Sequence, residues 1–87
     1  MARLAKGDLV TMKPNKRHEF AFVLDLETMH NDLLPRGLPL LVLAVKPTGS
    51  GWNSMFNSRN YRVKVMDVAT GKMYASTVRH LEKMFKE

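Results

Sequence analysis

Five short stretches of the chain have the hydrophobic pattern of β-strands, and polar or turn-forming residues separate them. They are residues 8–13, 20–27, 40–45, 61–65 and 73–76. Alternation of apolar and polar positions is typical of strands with one buried face, and the uninterrupted apolar run at 40–45 is typical of a central strand. No helical pattern lies between two strands, so parallel crossover connections are excluded. The pattern predicts a mainly β fold of five antiparallel strands.

The alternation also predicts which side chains face the core. In residues 20–27 the even positions carry the larger apolar side chains, so we expect Phe22 and Leu24 to be buried and the odd positions to face outward. In residues 61–65 the pattern places Val63 and Val65 inward and Arg62 and Lys64 outward. The remaining predicted core residues are Leu9 or Val10, Val42 and Leu81.

The segments between and after these strands complete the predicted architecture. We expect long loops at residues 28–39 and 48–59 and a tight hairpin closed by Gly71. Ser76 or Thr77 can cap a short C-terminal helix over residues 78–85. Residues 1–7 form a basic tail, and residues 8–87 form one domain. A closed antiparallel barrel is the economical arrangement, because closure removes exposed strand edges.

Composition narrows the class of protein further. With 87 residues, the chain has room for one small core, and it contains no cysteine for a disulfide or a thiolate metal site. No apolar run is long enough to span a bilayer, and the N-terminus lacks the pattern of a signal peptide. We therefore expect a cytoplasmic protein that does not bind membranes.

The net charge of +6 is unevenly distributed along the chain. Residues 1–18 carry +4 and residues 33–64 carry +5, whereas residues 19–32 between them carry −4. Basic segments of this kind favour an acidic partner such as nucleic acid, although a small domain also commonly carries net charge for solubility alone. Lys13, Lys16 and Arg17 are candidate phosphate contacts in the first basic segment.

The candidate binding segment runs from Trp52 to Lys64. Aromatic side chains beside cations can stack on unpaired bases and contact phosphates, and the residues that carry this pattern are Trp52, Phe56, Arg59, Arg62 and Lys64. The same aromatics can instead anchor a protein partner, or fold back and cap one end of the barrel. Residues 48–59 are rich in Gly, Ser and Asn, so we expect the fastest internal amide exchange there.

Catalytic and metal-binding motifs are absent from the sequence. The three histidines, His18, His30 and His80, are far apart and lack ligand-spaced partners, so no metal site is expected. The segment Thr48 to Gly51 lacks the following Lys of a phosphate-binding loop. We therefore expect neither an enzyme nor a cofactor or small-molecule substrate.

Several short motifs resemble a known group of proteins. The chain is similar to the small Src-homology-3-like (SH3-like) barrel proteins of tailed phages and, more faintly, to KOW-type barrels of ribosomal and transcription factors. The segments that carry the resemblance are Gly7–Val10, Phe22–Asp25, Tyr61–Val65, Thr70–Lys72 and His80–Glu82. It implies a five-stranded, non-catalytic barrel from a phage or bacterial setting, found in the host cytoplasm or in the virion. It implies no particular ligand.

Two functions remain open from the sequence. The first is a barrel that binds single-stranded nucleic acid with weak sequence preference. The second is a protein-interaction module, either a virion component or an effector that docks on a host protein. The charge distribution of the folded protein should separate them, because one continuous basic face favours nucleic acid and separate basic and acidic patches favour protein.

Overall fold

The computed structural model describes residues 4–46 and 61–85. These residues form seven antiparallel strands in one sheet, in the spatial order β3-β2-β6-β5-β4-β1-β7. Their bounds are β1 (Leu9–Met12), β2 (Phe20–Asp25), β3 (Asn31–Pro35), β4 (Leu40–Val45), β5 (Val63–Asp67), β6 (Met73–Ser76) and β7 (Leu81–Lys83). The mainly β, antiparallel character predicted from the sequence is confirmed.

The sheet is strongly curved and encloses a single core. Ser76 of β6 and Met12 of β1 are separated by two strands in the sheet order, yet the hydroxyl of Ser76 lies 3.7 Å from the Met12 sulfur. A bulge between Val42 and Ala44 shifts the β4–β5 register and adds local bending. The core comprises Val10, Met12, Ala21, Val23, Leu34, Leu40, Val42, Val63, Val65, Tyr74 and Leu81.

The predicted loop at residues 28–39 contains a strand. Residues Asn31–Pro35 pair with residues 20–24 of β2 and form the β2–β3 hairpin, in which Phe22 lies opposite Leu33 and Ala21 opposite Leu34. The sequence pattern did not predict this strand, because it contains Asn31, Asp32 and Pro35, which are typical of turns. An edge strand tolerates such residues, since one side of its backbone makes no ladder bonds.

Pro35 protects that edge. The amide of Arg36 donates to the carbonyl of Glu19 on the β2 side, so by alternation residue 35 faces away from β2. Proline has no N–H there to offer another strand, which limits uncontrolled edge pairing.

The predicted C-terminal helix is wrong. Val78–His80 form a single turn of 3-10 helix, the only helical element of the described residues, and Thr77 makes no side-chain capping bond there. Leu81–Lys83 then pair with the outer edge of β1, with Leu81 opposite Met12. Eight residues are too few to hold a helix without strong packing, whereas strand pairing satisfies the free backbone groups of β1.

The predicted burial of Phe22 is also wrong, and the face of β2 is reversed over most of its length. Ala21 and Val23 are buried, whereas Phe22 is 67% exposed. The inward face of the hairpin is set by Leu34, which lies opposite Ala21 and is buried with it. Val10, Leu24, Val42, Val63, Val65 and Leu81 are buried as predicted.

The predicted tight hairpin is present between β5 and β6. Gly71 has a φ of +79°, and its amide donates to the carbonyl of Asp67 at 2.8 Å. Residues 48–59, the second predicted loop, lie outside the described residues, as do residues 1–3 of the basic tail.

Candidate functional site: an exposed hairpin face between two charged ends

The segment predicted to bind a partner is only partly described. Trp52, Phe56 and Arg59 lie outside the described residues. Arg62 and Lys64 are described and are both partly buried. The Arg62 Nε atom donates to the Lys46 carbonyl at 3.0 Å, and the Lys46 amide donates to the Arg62 carbonyl at 2.7 Å. Arg62 therefore has a structural role where the chain enters β5.

The most exposed apolar surface of the described sheet lies on the β2–β3 hairpin. We call it the hairpin face and define it by Phe20, Phe22, Met29 and Leu33, which are at least two-fifths exposed. Phe22 and Leu33 are a cross-strand pair, and Phe20 is two residues from Phe22 on the same side of β2. Met29 lies beside Leu24 and Asn31, the next pair along that side.

Exposed apolar side chains are ordinary when they are scattered, but a contiguous row is not. Phe20 and Phe22 lie about 7 Å apart at the usual rise of a strand, with Leu33 opposite Phe22, and the exposed surface on β2 ends there because Leu24 is buried. Burial of this surface in a complex would be favourable by about 25 cal/mol per Å² of apolar area. The hairpin face therefore has the properties of a docking surface.

The turn of the hairpin holds Met29 in an unusual backbone conformation. Its φ is +60°, in the left-handed region that favours glycine, and it is the only non-glycine residue with positive φ in the described part of the chain. Its amide donates to the Asp25 carbonyl at 2.8 Å, and the Asp25 amide donates to the His30 carbonyl at 2.9 Å. A large exposed side chain is thus kept where glycine would cost less energy.

One end of the hairpin is basic. Arg36 follows β3 and donates from Nε to the His18 carbonyl at 2.7 Å and from a terminal nitrogen to the Lys13 carbonyl. These bonds place Arg36 beside the segment that carries Lys13, Lys16 and Arg17, and we call these four residues the basic end. The three cations predicted as additional contacts lie on the segment between β1 and β2. Glu19 is the acidic residue of this segment.

A groove of about 440 Å³ lies at the basic end, between the hairpin and the 3-10 turn. The aromatic rings of Phe20, Phe22 and Tyr61 line it together with His18, Ala21, Arg36, Thr77 and His80. Aromatic walls beside cationic groups suit a planar or anionic ligand group. The groove is the part of the described structure closest to the aromatic, basic site that the sequence predicts.

The charges around the groove act on His80. Desolvation by its surroundings lowers the pKa of the imidazole below its ordinary value, and the positive charges of Arg79, Arg36 and Lys13 lower it further. His80 is accordingly neutral at pH 7. An anion bound in the groove would favour its protonated form.

The other end of the hairpin is acidic. Asp25 and Glu27 lie at the turn, and we call these two residues the acidic end; Asp32 lies on β3 opposite the buried Val23, on the side of the hairpin away from Phe22. Tyr74 lies opposite Asp25 on the neighbouring strand. Burial raises the pKa of the Tyr74 hydroxyl, and the negative charges of Asp32, Asp25 and Asp67 raise it further. The two ends of the hairpin thus carry opposite charge.

Residues 4–46 and 61–85 contain neither a metal-binding cluster nor a membrane-spanning helix. These residues contain no group of three or more side chains placed to hold a metal ion. No helix among them is long and apolar enough to cross a membrane.

Comparisons with protein-family models, with curated proteins and with solved structures gave no match to this chain. Any function inferred for this chain therefore rests on the residues of the hairpin and of the groove.

The sequence interpretation missed the hairpin face because it assigned Phe20 and Phe22 to the core. Two features of the sequence pointed to the actual arrangement. Ala21 and Val23 form an apolar face of their own, so both faces of β2 are apolar at that end. A strand that is apolar on both sides is buried on both sides or presents one side to a partner.

Proposed function

We propose that this protein is a non-catalytic protein-interaction module that docks through the hairpin face. The observation that carries the proposal is the group of adjacent exposed apolar side chains Phe20, Phe22 and Leu33 on a hairpin with one basic and one acidic end. Separate patches of opposite charge fit a protein partner, which presents both signs, better than they fit a uniformly negative phosphate chain.

We further propose that the fold is an SH3-like barrel of the tailed-phage type. Five neighbouring strands, β7-β1-β4-β5-β6, form a continuous antiparallel curved sheet, and the β2–β3 hairpin is attached beside β6. A short barrel with an added hairpin leaves the hairpin's outer face without a covering layer. From the resemblance to tailed-phage barrels, we propose a role as a virion component or as an effector in the host cytoplasm.

Site-specific photocrosslinking tests the docking function. A photoreactive phenylalanine analogue at Phe22 should give adducts that protease removes and nuclease does not, in cells that make the protein. The matched control is the same analogue at Phe85, which is 69% exposed, as Phe22 is 67% exposed, but lies after β7. Equal adducts at both positions, or adducts that nuclease removes, would contradict the proposal.

Binding of single-stranded nucleic acid is the second candidate function, and the groove at the basic end is the observation that favours it. Phe20 and Phe22 can stack on bases, with Lys16 and Arg17 nearby for phosphate contact. Trp52, Phe56 and Arg59 belong to this candidate site by the sequence pattern alone. Arg62 and Lys64 complete it.

Titration of labelled single-stranded DNA and RNA at low salt tests this second function. We expect weak sequence preference and an affinity that falls steeply with salt. Replacing Lys16 and Arg17 by Ala should reduce the salt slope by about 0.7 for each lost contact, whereas Trp52→Ala should weaken binding at unchanged slope. Lys72→Ala, at the distant β5–β6 turn, is the charge control. Absence of binding at micromolar protein would exclude this candidate.

A further inference from the structure

We infer that the partner of the hairpin face is a second copy of this chain, in a two-fold symmetric dimer. This inference rests on the proposed docking function and names its occupant.

Charge complementarity identifies the occupant. A two-fold axis that lies in the interface, perpendicular to the strands of the hairpin, packs the two hairpin faces against each other with their strands reversed, so the basic end of each copy lies against the acidic end of the other. A parallel arrangement would place like charges together and is disfavoured. The surface is thus complementary to itself in one orientation, and an unrelated partner would need to reproduce both charge patches.

Phe22 lies near the centre of this arrangement. Arg17 precedes it by five residues and Glu27 follows it by five, so an axis that passes close to Phe22 brings Arg17 of one copy toward Glu27 of the other. Phe22 and Leu33 then meet their own counterparts, which buries the two most central apolar side chains of the face.

The expected dimer is weak. A standard stable interface buries about 800 Å² per partner, and one hairpin face is smaller than that. We therefore expect a dissociation constant in the micromolar range and exchange between monomer and dimer at accessible concentrations. The ion pairs are exposed at the rim, so about 1 M salt, where the Debye length is about 3 Å, should weaken the dimer.

Sedimentation velocity of the purified full chain over a micromolar concentration series measures the association. Phe22→Ala should shift the dissociation constant by at least tenfold, whereas Phe85→Ala, an equally exposed control, should leave it unchanged. Both side chains are exposed, so both variants should fold, which circular dichroism checks. A chain that stays monomeric throughout, or equal weakening by both variants, would overturn the inference.

Exchange of charges between the two ends gives a sharper test. Arg17→Glu and Glu27→Arg should each weaken self-association, because each places like charges together twice in the dimer. An equimolar mixture of the two variants should form a heterodimer as tight as the wild-type dimer, since both contacts then pair opposite charges. Lys6→Glu, an exposed position before β1, which three strands separate from β2 in the sheet, should associate like wild type. A mixture no tighter than either variant alone would overturn the inference.

The outcomes also separate this inference from the docking function. If the purified chain is monomeric while the Phe22 photocrosslinker yields protein adducts of other mass, the dimer fails and the docking function stands. If Phe22 gives no adducts beyond those at Phe85 with the purified chain or in cells, both fail.

Discussion

Individual residues of the hairpin depart from the choices that stability alone would favour. Met29 occupies a left-handed backbone conformation, and Phe20 and Phe22 project large apolar rings outward. Each departure costs free energy and each adds apolar surface to the same face. Departures from local rules are concentrated at functional sites in real proteins, which agrees with the docking function proposed for this face.

The backbone strain at Met29 predicts a stabilising substitution. Met29→Gly should raise the free energy of unfolding by up to about 1 kcal/mol, because glycine adopts a positive φ without the steric cost that a side chain pays there. Urea denaturation measures the change. Thr28→Gly, one residue earlier at a negative φ, should instead be destabilising, so a gain in both variants would show that strain is not the cause.

The lowered pKa of His80 predicts how stability depends on pH. The unfolded imidazole binds a proton at a higher pH than the folded one, so the unfolded state gains protons first as the pH falls. The stability due to neutral His80 should be complete above about pH 6.5 and should decrease as the pH falls toward the lowered folded value. His80→Gln should remove this part of the pH dependence and His30→Gln should retain it, as measured by thermal melts across pH. An unchanged profile in His80→Gln would contradict the assignment.

At the scale of elements, the sequence predicted strands well and their faces less well. The strand at 40–45 and the hairpin at Gly71 could be predicted because a continuous apolar run and a left-handed glycine each specify local structure. The strand β7 could not, because residues 81–83 become a strand only through pairing with β1, which is distant in sequence. The inward face of β2 could not be predicted either. The size of the Phe22 side chain favoured its burial, whereas pairing with Leu34 across the hairpin places Ala21, and with it Val23, on the inward face.

The same long-range dependence explains the outcome for the candidate site. Lys13, Lys16 and Arg17 were recognisable from charge alone. The role of Arg36 could not be predicted, because its two carbonyl acceptors, on His18 and Lys13, are distant from it in the sequence. The hairpin face could not be predicted, because it depends on β3 and the turn-forming residues of β3 do not have the pattern of a strand.

The corrected face of β2 predicts opposite effects for two neighbouring residues. Val23→Ala should lower the free energy of unfolding by about 1–2 kcal/mol, because it removes buried methyl groups and leaves a cavity. Phe22→Ala should change it by less than about 0.5 kcal/mol in dilute solution, because the ring is exposed there. Urea titration at low protein concentration measures both. A larger loss in Phe22→Ala would restore the original assignment of the faces.

At the scale of the whole molecule, β3 and β7 are the two edges of the described sheet and do not pair with each other. Side-chain hydrogen bonds nevertheless connect the hairpin to the segment after β1. The edge strand β3 and the strand β1 are separated by four strands, yet Arg36 after β3 donates to the Lys13 carbonyl just beyond β1. The same guanidinium holds the His18 carbonyl before β2. Arg36 thus anchors the hairpin to the segment after β1 and fixes where the basic end lies.

This anchoring role predicts a local effect of removing the guanidinium. Arg36→Gln should lower the free energy of unfolding by about 1–2 kcal/mol, because two hydrogen bonds from a charged donor are lost at an exposed site. The loss should appear mainly as faster amide exchange in the β2–β3 hairpin, with the β4–β5 ladder unchanged, since the hairpin can open without the remaining strands. Arg79→Gln, an exposed cation on the 3-10 turn, is the control for charge. Equal acceleration in both ladders would show that the hairpin and the remaining strands unfold as one unit, and that Arg36 stabilises the whole sheet rather than the attachment of the hairpin.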